Sequence, residues 1–407
     1  MKKSVKVLML LFAVAMMSLN ACEKADLEEQ VDHTLAPASR VKSVANLTID
    51  PGMDFAAINS VLNAASAGDV VQVQTGTYEI TGKLSVKPNI SIQFSGAGLK
   101  PVFKAPTGRT ELLELLYGTE LTGVVFSGIE FNNIRFKIVD VSNVTFENCR
   151  FSKGKRKPAT DKKYLKDAYL EFLRGTNCTV NLCEFKREIG NSGRGIYNKL
   201  GSSNNQFTNN QFEGYFTTAI NENGNETLIK ENTIRRELNW INVSETDHGI
   251  YAHSFTNLEI VQNTVSGWPA EACGGAVKAR NGEGLLIKDN TFETSGVLLY
   301  AYNKPTAHPF LKNVKVLDNQ ITVSSSAQDL YHGIGFWKES PSLDEESIVI
   351  SGNELPNGSI FIRTRKINVS NFNSSHTYKG TTYNGGVFLN DCDGLYLLAG
   401  IANTGNY

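Results

Sequence analysis

The chain has 407 residues, 41% hydrophobic and 20% charged, with 40 basic against 41 acidic side chains and a formal net charge of -1. That composition belongs to a folded protein of one to three domains whose core needs no disulfide framework. The near balance of charge speaks against a nucleic-acid partner, so any affinity for anions has to be local.

At the N-terminus Lys2 and Lys3 precede an apolar run from Val7 to Met17 that is too short to span a bilayer and reads as a signal peptide over residues 1–21. Leu19-Asn20-Ala21-Cys22 resembles the lipobox of bacterial lipoproteins, which implies lipidation of Cys22 and a lipid anchor in the membrane. Glu23, Asp26, Glu28 and Glu29 open an acidic, polar tether over 22–43, resembling the signal that sends some lipoproteins to the outer membrane, surface-exposed or periplasm-facing. Removal of Lys2, Lys3 and Lys6 with the leader takes the formal charge from -1 to -4. The five cysteines beyond Cys22 include no Cys-x-x-Cys pair, which speaks against zinc.

Asp54 begins a helical pattern with Phe55, Ile58, Leu62 and Ala65 on one face, stopped at Gly68. After it an eight-residue pattern recurs: alternating apolar residues, then Asn, a spacer and another apolar residue. Clear copies are TLIKENTI at Thr227 to Ile234, LEIVQNTV at Leu258 to Val265, LLIKDNTF at Leu285 to Phe292, VKVLDNQI at Val314 to Ile321 and IVISGNEL at Ile348 to Leu355. The shared position is Cys149, Cys183, Asn210, Asn232, Asn263, Asn290, Asn319 and Asn353, at intervals of 22 to 34 residues. Alternation means strand, and such an interval means one coil of a solenoid. An Asn at the same turn of successive coils can stack on the next at the strand spacing of about 4.8 Å. The expectation is an all-β right-handed parallel β-helix over 44–355, with an N-terminal capping helix and C-terminal coils and a cap over 356–407. Cys149 and Cys183 replace Asn in the ladder, either as a bridge or as buried thiols.

Helix, GDVVQVQTGTY at Gly68 to Tyr78, and Asn-laddered coils together resemble the pectate-lyase-like β-helix superfamily. Its members are polysaccharide lyases, glycoside hydrolases and epimerases, with some phage and adhesin proteins. Counting from the ladder aligns Ile250, Val277 and Leu299 as inward residues, with Ile196 and Ile220. Their successors form two outward rows: Tyr197, Asn221, Tyr251, Lys278 and Tyr300, then Lys199, Asn223, His253, Arg280 and Tyr302, extended by Trp337. Such a patch suits β-elimination on a uronic-acid polymer. Arg280 with Asn221 or Asn223 would neutralise the carboxylate, Lys278 or His253 would take the C5 proton, and Tyr251 or Tyr300 would protonate the leaving oxygen. Tyr197, Lys199, Tyr302 and Trp337 would line the substrate. A hydrolase needs two carboxyls; the rows hold none, although Glu222, Glu245 and Asp247 lie near.

Gly275 to Phe292 (GAVKARNGEGLLIKDNTF) further resembles the catalytic coil of the chondroitinase B and alginate lyase family, which implies that Lys278 is the proton-abstracting lysine. The chain departs from that family where Leu299-Tyr300-Ala301-Tyr302 replaces the arginine expected one coil later, and no calcium-site segment is recognisable, so a calcium cofactor is left open. A basic insertion over 150–166 contains Lys155, Arg156 and Lys157 among eight cations with Asp161 alone opposing them. It suits a sulfated polyanion. The sequence therefore points to an acidic, sulfated polysaccharide as partner and to a lyase of chondroitin or dermatan type. The alternatives are an alginate or pectate lyase, a β-helix glycoside hydrolase and a non-catalytic glycan-binding lipoprotein.

Overall fold

The computed structural model describes residues 47–109, 111–153, 167–188, 193–237, 248–268, 275–302, 308–323, 333–338 and 348–356, together with short strands from there to 406. The leader, Cys22, the tether, Glu245, Asp247 and the basic residues Lys155, Arg156 and Lys157 lie outside the described residues.

Each coil contributes three short strands to three parallel sheets, as in Thr179–Asn181, Glu184–Arg187 and Arg194–Asn198. The next coil repeats them in register: Val180 pairs with Phe207, Phe185 with Phe212 and Ile196 with Ile220. This is the expected right-handed parallel β-helix. Strands His248–Val261 and Gly275–Lys288 run through the corner from the third sheet into the first. Parallel pairing continues past residue 355, where Ile367–Ser370 adds to Ile348–Ser351 and Gly386–Leu389 to Ser359–Ile362.

Inward residues stack along the axis. Phe151, Phe185 and Phe212 lie almost face to face, with centroids 4.9 and 4.6 Å apart. Phe151 completes the alternation of Arg150–Ser152, so these three residues form a regular strand and the basic insertion starts later than the expected residue 150. Its physical basis is the ring column, which continues from Phe131 through Phe151. At the open end, helix Phe55–Ala64 is capped by Asp54, whose carboxylate accepts the Ala57 N–H at 2.8 Å, and it buries Ile58 and Leu62 on the first coils.

The Asn ladder stands at the corner between the first and second sheets. Asn232 donates both its backbone N–H and its side-chain amide to Asn263 Oδ1, at 3.0 and 2.9 Å, and Asn263 does the same to Asn290. Each amide also donates to a carbonyl one coil back, as Asn263 Nδ2 does to Ile229 O at 2.9 Å. A residue in the left-handed region precedes each rung: Asn209, Glu231, Gln262, Asp289 and Asp318. Cys149 and Cys183 are free thiols, not a bridge. They imitate the ladder, because Cys183 Sγ accepts the Cys149 N–H at 3.4 Å while donating to Phe146 O at 3.4 Å.

Candidate functional site

The outward face of the third sheet carries the candidate site. Its first row reads Glu171, Tyr197, Asn221, Tyr251 and Lys278, each paired with the next across adjacent coils. Beside Tyr251 and Lys278 in the second row stand His253 and Arg280, themselves paired. Neighbours within a row are therefore about 4.8 Å apart at the backbone.

One expected alignment is wrong by two residues. Val277 pairs with Val297, Lys278 with Leu298 and Arg280 with Tyr300, so Tyr300 joins the second row and Tyr302 follows beyond it. The extra residues of this coil lie after its strand, between Ala301 and Leu311, and a count back from Asn319 runs across them. Trp337 pairs with Tyr300 and extends the second row as expected.

The side chains converge on Tyr251 and Arg280. The Arg280 guanidinium lies 5.7 Å from the Tyr251 ring centre and 5.0 Å from that of Tyr302. The Tyr251 ring is 5.3 Å from the imidazole of His253, and Lys278 Nζ is 5.7 Å from the Tyr300 ring centre. Tyr302 is held by a two-point clamp: Asn281 donates to Tyr302 O at 2.9 Å and accepts the Tyr302 N–H at 2.7 Å. Asn281, which takes φ 48° at the corner after Arg280, was not foreseen as a positioning residue.

Asn221 and Asn223 occupy the rows below, but both are enclosed, Asn221 with only 1% of its surface exposed. Its amide donates to Tyr251 O at 3.5 Å, and Oδ1 of both Asn residues has no hydrogen-bond partner. Lys199 is tied to Glu171, Nζ to Oε1 at 2.5 Å, and lies 5.0 Å from the Tyr197 ring centre. Glu171 is the one carboxylate that either row carries between Glu171 and Trp337 among the described residues.

Glu222, considered above as a hydrolase carboxyl, faces the interior between Asn198 and Ala252. It accepts from Asn198 Nδ2 at 3.0 Å on both oxygens and from Thr227 Oγ1 at 3.2 Å. It cannot reach a substrate on the outer face.

Sequence reasoning missed Arg194. Strict alternation from inward Ile196 would send Arg194 inward as well. The ladder instead skips Gly195, where a Cβ would come within 2.5 Å of the inward Phe212 ring. Two consecutive residues thus face the core, and Arg194 is returned to the outer face, its guanidinium 4.3 Å from the Tyr197 ring centre. The same skip at Gly249 brings the buried His248 ring to 5.2 Å from Tyr251.

These surroundings set the proton chemistry. Burial, with Arg280 and Arg194 adding positive charge, pushes the His253 imidazole down to about 4, so it is neutral at ordinary pH. Burial raises the Tyr251 hydroxyl above its usual range, and the two guanidiniums oppose that rise without cancelling it. The face thus offers a neutral imidazole, a protonated phenol and two guanidiniums. No cluster of His, Cys, Asp or Glu suited to a metal occurs among the described residues. Two clefts, of about 370 Å³ beside Lys100 and Arg150 and about 590 Å³ around Leu286, lie on other parts of the surface. The candidate site is the open face, where the titrating and cationic groups meet.

No protein-family model matches the chain, and no curated protein matches its sequence. Among solved structures, the catalytic domain of a GH87 α-1,3-glucanase in complex with tetrasaccharides aligns with a TM-score of 0.55 at 12% identity, over 91% of this chain and 70% of that one. PfbA, a surface adhesin of Streptococcus pneumoniae, aligns at 0.47 and 16% identity, over 86% and 88%. An exopolygalacturonase from Thermotoga maritima aligns at 0.42 and 11%, over 81% and 87%. At these identities the likeness is one of fold. The protein shares the parallel β-helix fold of the GH87 catalytic domain.

Proposed function

We propose that this chain is a polysaccharide lyase that cleaves a uronate-containing glycosaminoglycan of chondroitin or dermatan type by β-elimination, anchored through lipidated Cys22 at the bacterial outer membrane. The observation that carries the reading is a neutral His253 among guanidiniums, beside a protonated Tyr251, in rows where the one carboxylate from Glu171 to Trp337 among the described residues, Glu171 itself, is already tied to Lys199.

Arg280, with Asn221 and Asn223, receives the uronate carboxylate and lowers the cost of carbanion character at C5. His253 takes the C5 proton. The electron pair left at C5 forms the C4–C5 double bond, the C4–O bond breaks, and the leaving oxygen takes the Tyr251 proton. Solvent then returns a proton from His253 to Tyr251. Binding of a carboxylate also brings negative charge to His253, which raises its basicity toward working pH. Lys278 stands beside Tyr251 and adds a further cation for the sugar acid, or acts as the base in place of His253. The basic residues Lys155, Arg156 and Lys157 favour a sulfated polymer.

Incubation with chondroitin, dermatan, hyaluronan, heparin, alginate and pectate tests the reading. An unsaturated product absorbing in the near ultraviolet is expected from a sulfated glycosaminoglycan. New reducing ends without that absorbance would make the protein a hydrolase, and retention of polymer without cleavage would make it a binding protein.

A further inference from the structure

Tyr302 takes no step in the mechanism above, although its ring lies nearer the Arg280 guanidinium than that of Tyr251, at 5.0 against 5.7 Å. Tyr251 belongs to the coil before Arg280 and Tyr302 to the coil after, because Tyr251 pairs with Lys278 and Arg280 with Tyr300. The guanidinium is thus flanked along the coil axis by one phenol behind and one ahead, and its Nε is enclosed without a hydrogen-bond partner. The ring ahead is placed by Asn281. Strand Val297–Ala301 ends one residue before Tyr302, so strand pairing no longer fixes that residue. The Asn281 side chain takes over, accepting the Tyr302 N–H at 2.7 Å and donating to Tyr302 O at 2.9 Å. Asn281 is fully buried and adjoins Arg280, so one amide ties the backbone of the cation to the backbone of the ring beside it. A guanidinium held between two aromatic rings meets an anion best in its own plane, through parallel N–H groups that match the two oxygens of a carboxylate. The third oxygen of a sulfate ester leaves that plane toward one of the rings, whose face is negative.

We infer that Asn281 is a positioning residue of this face: by holding Tyr302 beside Arg280 it presents the guanidinium edge-on, as a fork for a planar carboxylate, so that the site selects a uronate over a sulfate ester of equal charge. This rests on the uronate reading and deepens it, because it assigns Arg280 to the sugar acid and leaves any sulfate of the polymer to be met elsewhere. Charge alone would not make that choice; a planar fork between rings does.

Calorimetric titration with a saturated, unsulfated chondroitin disaccharide tests this, since its terminal uronate has no glycosidic bond at C4 to cleave. The comparison ligand is the same disaccharide with a sulfate ester in place of the carboxylate. Wild type is expected to bind the carboxylate ligand about tenfold more tightly than the sulfate ligand. Asn281→Gly removes the clamp and suits the left-handed backbone at φ 48°. It should weaken the carboxylate ligand about tenfold and leave the sulfate ligand within about twofold, with folding checked by the unfolding midpoint. A loss shared equally by both ligands, as a merely structural role would give, or no loss on either, would overturn the inference. So would equal binding of the two ligands by wild type. Should the glycine variant fail to fold, Tyr302→Leu decides. It keeps both clamp bonds, which use the backbone of residue 302, and removes the ring, so a loss confined to the carboxylate ligand supports the inference and unchanged affinities refute it. A carboxylate preference that depends on Asn281, without unsaturated product from any polymer, would keep the positioning role and sink the lyase reading. Binding of neither ligand by wild type would overturn the inference, and the lyase reading would fall with it only if no polymer gave unsaturated product.

Discussion

Glu222 makes the interior of the site coil sensitive to pH. Its side chain is fully buried, with no cation among the groups bonded to it: Asn198 and Thr227 donate to it, and so does the Gly224 N–H at 2.5 Å. Burial pushes its carboxyl up to about 7 from an ordinary 4.5, because these neutral donors only partly offset desolvation. In the unfolded chain the group ionises near 4.5. Below that pH both states are protonated and Glu222 adds no pH dependence. As pH rises from 4.5 to 7 only the unfolded state gains by ionising, so stability falls by about 1.4 kcal/mol per pH unit, or about 3 kcal/mol in all. Above 7 both states ionise and the loss is complete. Glu222→Gln keeps an oxygen for the Gly224, Thr227 and Asn198 donors and cannot ionise. Urea unfolding of both proteins, followed through the buried Trp268, should therefore show a stability difference that shifts by about 3 kcal/mol in favour of the variant between pH 4.5 and 7.5. A difference that stays constant over that range would refute a proton-linked carboxyl at this position.

Other consequences are as direct. Lys278→Ala and Arg280→Ala should each lower kcat about a hundredfold or more on the preferred polymer, with unfolding midpoints close to wild type, since neither leaves a cavity in the core. The acid limb of kcat/KM should fall near pH 4 rather than near 6.5 if His253 is the base, because that is where its imidazole charges in the free enzyme; a limb at the ordinary histidine value would assign the role elsewhere. Asn263→Ala should cost about 3 kcal/mol, measured by denaturant unfolding, since it leaves the Asn232 backbone N–H without its acceptor and removes donors from Ile229 O and Asn290 Oδ1.

The parts legible in the sequence were those in which one residue type repeats under one constraint. From Asn210 to Asn353 the ladder is Asn, because a short amide can accept two N–H groups from one coil while donating to a carbonyl and to the next rung, and this repetition revealed the coils. Strand alternation then gave the outer rows correctly from Tyr197 to Arg280. It failed where backbone geometry departs from a repeat of two. The skip at Gly195 hid Arg194, and the extra residues after Ala301 displaced Tyr300 by two places. Neither departure has a compositional mark of its own, because glycine is frequent in this chain and a count cannot tell on which side of a strand the extra residues lie. Asn281 was hidden for a related reason: its work is done on the backbone of a residue 21 positions away.

The same regularity governs what this face can recognise. Ladder bonds of 2.8 to 3.0 Å from Cys183 to Asn353 hold the coils at one spacing, so groups on the outer rows can occur only at multiples of about 4.8 Å along the axis. A polymer lying along that axis is read by which multiples carry charge. Counted from the coil of Arg194 and Tyr197, Asn221 stands one coil on, Tyr251 and His253 two coils on, and Lys278 with Arg280 three coils on, so the face runs from cation through amide and phenol to cation. Any polymer lying along the axis therefore meets these groups in a fixed order, set by coil register rather than by side-chain reach.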